Sequence, residues 1–127
     1  MIRYDPLIGP DPDEWRALTE LQQLDAVLAF HRRERIKLPN ELLHASIHSV
    51  VESQVAAGSE LPVAATLQRL MAEGLNRHDA VHAVGMVLAG HIHDLLKGDV
   101  STEGDPNAPY YAKLERLTAQ WWRDQAQ

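Results

Sequence analysis

An all-α fold is what this sequence predicts: a single-domain bundle of about five helices behind an extended N-terminal arm. Three observations lead there. Apolar residues recur at three- and four-residue spacing through most of the chain. The periodic stretches are bounded by helix punctuation, with Asp or Asn ahead of them and Gly behind. No segment alternates apolar and polar residues over a useful length between turn signals, so no strand is expected. At 127 residues the chain can bury one core without disulfides or a structural metal, and residues 1–127 read as one domain.

Residues 1–11 hold Pro6, Gly9 and Pro10, too many breakers for a regular element, and form the arm. Asp11 offers an N-cap with Pro12 in the first turn, and a first helix is predicted from there to about Arg35. Its stripe is Trp15, Leu18, Leu21, Leu24, Val27 and Leu28. Pro39 and Asn40 restart the chain into a helix over Glu41–Ala57 that Gly58 closes, with Leu43, Ile47, Val50, Val51 and Val55 inward. A shorter helix runs from Pro62 to Glu73 and stops at Gly74. Asn76, with Asp79 three residues on, opens a fourth helix that reaches Lys97. Gly85 and Gly90 interrupt it at some cost in propensity and predict a close helix crossing. Residues 98–109 are the clearest loop. The last helix, 109–126, places Tyr110, Leu114, Leu117 and Trp121 on one face with Trp122 beside it.

Eighteen acidic residues against 12 basic ones give a formal charge of -6, which repels a phosphate backbone unless basic residues are concentrated. The one basic cluster, His31–Lys37, contains Glu34, lacks stacking aromatics and sits at a helix end. It reads as a last turn complementing the helix dipole, so no nucleic-acid partner is expected. No apolar run approaches the roughly 20 residues that span a bilayer, and no basic stretch followed by an apolar run opens the chain. A cytoplasmic protein without a membrane partner is the expectation. The sequence also lacks a Gly-rich phosphate loop, a Gly-x-Ser-x-Gly elbow and a His-Glu-x-x-His pair, which removes support for a nucleotide hydrolase, a serine esterase and a zincin protease.

Function is concentrated in two phrases of the site-bearing core, residues 38–97. His44, His48 and Glu52 lie four residues apart on the second helix, and His78 and His82 four apart on the fourth. Such spacing stacks side chains along one flank of a helix, so each phrase can aim two imidazoles at one point. With no cysteine in the chain, a metal there must be held by nitrogen and oxygen. Zinc or iron is expected, with nickel also compatible, and magnesium or calcium is disfavoured. The most economical site is mononuclear, with His44, His48, His78 and His82 as ligands and Glu52 as a fifth ligand or as a catalytic base on bound water. Asp79, Gln54 and Glu73 are candidates for hydrogen-bonding the outer ring nitrogens. His31 is expected in solvent, His91 on a polar surface, and His93 roughly 16 Å from His82 along the axis, too far to share an ion.

The stretch from Leu38 to Leu96 resembles a family of small bacterial proteins classed only as a domain of unknown function. The resemblance is carried by Pro39-Asn40, Leu43-His44, His48, Glu52-Ser53-Gln54, Leu61-Pro62, the Leu70–Gly74 turn and His78–His82. Their pattern is Leu-His-x3-His-x3-Glu-x-Gln, then Pro, then a His-x3-His helix. It covers roughly half of the chain and implies that the paired histidines belong to one site, while bringing no activity with it. In that family an acidic residue precedes the final histidine; here Asp79 takes that place and His78 is additional.

Two functions remain open on the sequence. One is a metal-binding helical protein, a hydrolase or oxidoreductase, with stoichiometric metal and an open coordination position. The other is a non-catalytic interaction module whose histidines are structural, or switch with pH, and whose Trp121 and Trp122 join two copies through the C-terminal helix. No substrate can be named from either.

Overall fold

The computed structural model of the protein describes residues 2–99 and 103–125. Met1, residues 100–102 and residues 126–127 lie outside these, and with them the start of the predicted arm, part of the 98–109 loop and the end of the predicted last helix. The described residues form seven α-helices and no strand: α1 Pro12–Ala17, α2 Glu20–Arg33, α3 Glu41–Ala56, α4 Val63–Ala72, α5 Arg77–Leu96, α6 Ala108–Arg116 and α7 Ala119–Gln125. The all-helical expectation holds, and the count differs for local reasons.

The predicted helix 12–35 is two helices because a capping box sits inside it. Thr19 Oγ1 accepts the Gln22 amide at 3.1 Å and Gln22 Oε1 accepts the Thr19 amide at 2.8 Å, which satisfies two orphan donors only if a helix starts at residue 20. Leu18 is extended there, and Leu21, assigned to the buried stripe by continuing one helical phase across the break, is 67% exposed. The predicted last helix breaks in the same way. Leu117 is extended, Thr118 Oγ1 caps the Trp121 amide at 3.1 Å, and Glu73 accepts the Ala119 amide at 2.9 Å. The break turns Trp122 toward the core and leaves Trp121 37% exposed, the reverse of the single-helix projection.

The boundaries of α3 and α5 follow the sequence closely. Asn40 accepts the Leu43 amide and Asn76 the Asp79 amide, at 3.1 and 2.8 Å. Helix α3 runs through the middle, packing on α1 and α2 on one side and on α4 and α5 on the other. One apolar core, with Val51, Leu67, Leu70, Val81, Val84, Tyr110 and Leu114, joins α3 to α4, α5 and α6. A second, with Tyr4, Trp15, Val27, Phe30 and Ala45, joins α3 to α1, α2 and the arm. Leu43 and Val50 of α3, both predicted inward, are exposed because they fall between these two packed faces. Gly85 sits where α5 approaches α3: a Cβ there would lie 3.2 Å from Ile47 Cγ2, the close crossing that the glycine predicts.

The arm is non-helical, as predicted, but it is folded back rather than extended. The Gly9 amide reaches the Asp5 carbonyl at 2.8 Å, closing a turn through Pro6. Arg33 donates to the Tyr4 carbonyl at 2.7 Å and Arg77 to the Pro6 carbonyl at 3.0 Å. Tyr4 is thereby inserted between α1, α2 and α3, next to Trp15 and Phe30.

Candidate metal centre

All four predicted histidines meet where α3 crosses α5. The imidazole centroids of His78 and His82 are 4.3 Å apart, those of His48 and His82 5.4 Å, and those of His44 and His82 5.1 Å. His48 and His78 stack at 5.5 Å with their planes 17° apart. A fifth histidine joins them. His31, expected in solvent, is 1% exposed and lies 5.1 Å from His44 and 6.0 Å from His48, ring to ring. It continues the inward stripe of Val27 by one turn, and the neighbouring arginines masked that phase.

Two triads satisfy the distance requirement for a shared ion. One ring nitrogen from each of His48, His78 and His82 lies within 4.8 Å of the others, and so does one from each of His31, His44 and His48. His48 belongs to both. Among the described residues, every buried side-chain nitrogen or oxygen without a hydrogen-bond partner is an imidazole nitrogen: His31 Nδ1, His48 Nδ1, His78 Nε2, His82 Nε2 and both of His91. Buried polar atoms are normally paired, because an unpaired one keeps the penalty of leaving water.

Glu52 lies in line with His44 and His48 as predicted, but its carboxylate faces other partners. It is 1% exposed and accepts two hydrogen bonds from Arg77, at 2.7 and 2.8 Å, and one from the Tyr4 hydroxyl. A carboxylate can only accept, so Tyr4 gives it its single proton. The same hydroxyl is 2.7 Å from His48 Nε2; with its proton committed to Glu52 it must accept there, and Nε2 is the nitrogen that carries hydrogen. Nδ1 of His48 is then a bare lone pair, and it is the buried atom without a partner. The chain Arg77, Glu52, Tyr4, His48 thus fixes the tautomer that a metal ligand needs.

The electrostatics agree. Burial, followed by the fields of His82, His78, His44 and His31, lowers the His48 pKa to about 2. Burial and then His78, His44 and His31 lower that of His82 to about 3. His31, His44 and His78 are also lowered, each chiefly by burial. Asp79 and Asp5 act on His78 in the opposite direction, supplying negative field beside the imidazoles. Tyr4 is raised well above its ordinary value by burial and then by Glu52, so it keeps its proton.

None of the three outer partners expected from the sequence is hydrogen-bonded to an imidazole. Gln54 accepts from the Tyr110 hydroxyl at 2.7 Å, Glu73 pairs with Arg69 at 2.8 Å, and Asp79 acts through its field. Tyr4 fills that role for His48, held in turn through Glu52 by Arg77, and of Tyr4 and Arg77 the sequence carries a signal only for Arg77. Arg77 is the first residue of α5, where a cation opposes the helix dipole. That local misfit marks a residue held by tertiary contacts. His91, expected on a polar surface, is 1% exposed and stacks on Tyr110 with centroids 5.7 Å apart.

A cleft of about 440 Å³ lies between α3 and α5 and reaches the centre, with His44, His48 and His82 in its lining. Trp122 stands beside it, 6.1 Å from the His82 ring. No helix among the described residues is long and apolar enough to cross a membrane. Comparison of the chain with protein-family models, curated proteins and solved structures returned no match.

Proposed function

We propose that the protein binds one transition-metal ion through His48 Nδ1, His78 Nε2 and His82 Nε2. The observation that carries this is that His48, His78 and His82 each bring one ring nitrogen within 4.8 Å of the others and each keeps a buried ring nitrogen without a partner, within a cluster whose imidazoles are all held toward the neutral form. His48 has one lone pair to give, because its other nitrogen is bonded to Tyr4. Two triads that both require it cannot hold two ions at once, which favours a mononuclear centre with His44 and His31 as neighbours of the bound ion. Three neutral imidazoles and an open position are the ligand set of many zinc sites. The common non-haem iron set needs a carboxylate, and Glu52, the carboxylate on the His44–His48 row, is engaged by Arg77 and Tyr4. Zinc is therefore the ion that fits best, and Glu52 serves it from behind, through Tyr4 and His48, rather than as ligand or base. The open side faces the cleft, which suits a Lewis-acid role toward a small molecule.

Elemental analysis of protein purified without chelators tests the proposal. A single equivalent of metal is expected in the parent and in His93→Ala, whose side chain is exposed, and none in a folded His48→Ala, which disables both triads. Parent protein that is metal-free and takes up neither zinc nor cobalt on titration overturns it.

A further inference from the structure

We propose that the cleft between α3 and α5 is a binding site for a mainly apolar small molecule without a cationic group that presents one lone-pair donor atom to the metal centre. The inference rests on the metal reading above and extends it to the ligand. Its walls are Leu38, Leu43, Ile47, Val81, Met86 and Trp122, and its three imidazoles, His44, His48 and His82, lie together with ring centroids 5.1 to 5.9 Å apart. The lining contains no carboxylate, ammonium or guanidinium. A cationic group entering the cleft would lose hydration, find no carboxylate and meet the positive charge of the bound ion. A peptide strand is ill served, since its amides and carbonyls need partners. Besides the imidazoles, the lining's polar side chains are Asn40, whose oxygen already caps α3 at the Leu43 amide, and Trp122 with its single indole N–H. What remains compatible is a molecule apolar along its length and polar at its buried tip.

Size and shape agree with this. About 440 Å³ lies within the range of small-ligand pockets. Leu43 and Met86 stand at the cleft from opposite helices and are 58% and 45% exposed, apolar surface that such a ligand would cover. Methionine adapts to ligands of different outline. Ala89, also in the lining, is exposed, so a larger side chain there narrows the cleft without entering the core.

The probe is 4-phenylimidazole, apolar with one ring nitrogen to offer, titrated into cobalt-loaded protein of measured metal content; imidazole, the same donor without the apolar ring, is the comparison. A saturable shift of the cobalt absorption bands by 4-phenylimidazole is expected, with cobalt content unchanged after gel filtration. Imidazole should bind at least about tenfold more weakly, since it buries no phenyl ring against the apolar walls. Ala89→Phe should weaken 4-phenylimidazole by about tenfold or more through steric overlap, with cobalt content unaltered. Protein that holds cobalt yet gives no band shift, or binds imidazole as tightly, or is indifferent to Ala89→Phe, overturns the inference and leaves the metal centre standing. Protein that takes up no cobalt overturns both.

Discussion

Replacing Tyr4 by phenylalanine removes one oxygen atom and leaves the ring that packs 5.7 Å from Trp15 and 6.0 Å from Phe30. Two interactions go with it. The Nε2–H of His48, buried and 2.7 Å from the hydroxyl, loses its acceptor, a deficit of about 1 to 3 kcal/mol. Glu52 loses one charge-assisted bond but keeps both from Arg77, so that loss lies near the lower end of its range, about 1.5 kcal/mol. Together the metal-free protein should be less stable by about 2.5 to 4.5 kcal/mol, or on the order of 10 °C in Tm for a chain of this length. The consequence for metal is separate. With no fixed acceptor at Nε2, His48 divides between its two tautomers and its ring is no longer held in orientation. Loss of such an outer partner weakens metal sites by about 10- to 100-fold. Chemical denaturation of metal-free protein reads the first effect, and zinc competition against a chromophoric chelator reads the second. A Tyr4→Phe protein within about 0.5 kcal/mol of the parent refutes the buried relay. One that is destabilised but binds zinc as tightly as the parent refutes the tautomer argument while sparing the packing role.

Gly9 has φ +81°, and a Cβ on it would lie 2.6 Å from Arg77 Nε and Nη2. That guanidinium is held by Glu52 and the Pro6 carbonyl and cannot simply swing aside, so Gly9→Ala should lower stability by about 2 kcal/mol or more and expose the arm to proteolysis; an unchanged Tm and cleavage pattern would count against the folded-back arm. Acid should weaken the metal-free fold before carboxylates begin to titrate. Unfolded imidazoles take up protons near pH 6.5, whereas His48 and His82 resist them down to about 2 and 3 when folded. The unfolded chain therefore binds more protons throughout that window, and stability falls as pH drops through it, by at most about 1.4 kcal/mol per pH unit for each group. Denaturation midpoints at pH 7 and pH 5 check this, and equal midpoints would contradict the buried-neutral assignment.

Helix punctuation made α3, α4 and α5 legible because Asn40, Asn76 and Gly74 act within a few residues of themselves. The two missed breaks, at Leu18 and Leu117, were also local: Thr19 with Gln22, and Thr118 with the Trp121 amide, are capping signals that a continuous apolar period overrode. The i, i+4 histidine rows were legible for the same reason of range. Their meeting was not, since it depends on the crossing of α3 and α5 at Gly85. Tyr4 lay beyond reach altogether. Nothing near it in sequence says that a residue from an arm full of prolines will be driven between three helices, 44 positions from the histidine it contacts. Glu52 shows the opposite limit: its row was legible and its partners were not, because spacing places a carboxylate on a helix face but does not say which cation arrives from elsewhere. Arg77 came from the far helix and took it.

The choice between a metal centre and a set of structural histidines turns on where the hydrogen bonds went. A structural histidine in a core is ordinarily kept because both ring nitrogens find partners, and here the fold invests Arg77, Glu52 and Tyr4 in satisfying one nitrogen of His48 alone. Its other nitrogen has no hydrogen-bond partner, and neither do His78 Nε2 and His82 Nε2, on the two histidines that form a triad with it. An unpaired buried nitrogen is not a sufficient sign by itself, since His91 has two; it stacks on Tyr110 and belongs to neither triad. What separates the two places is convergence. Four positions on α3 and α5, plus His31 on α2, bring imidazole nitrogens together in two triads that share His48, while burial holds them toward the uncharged form. An ion bound there would satisfy several of these atoms at once and stabilise the fold in proportion to how far its concentration exceeds its Kd. An interaction module gains nothing from that arrangement, because buried nitrogens without a partner, such as His78 Nε2 and His82 Nε2, keep the penalty of leaving water with no bond in return.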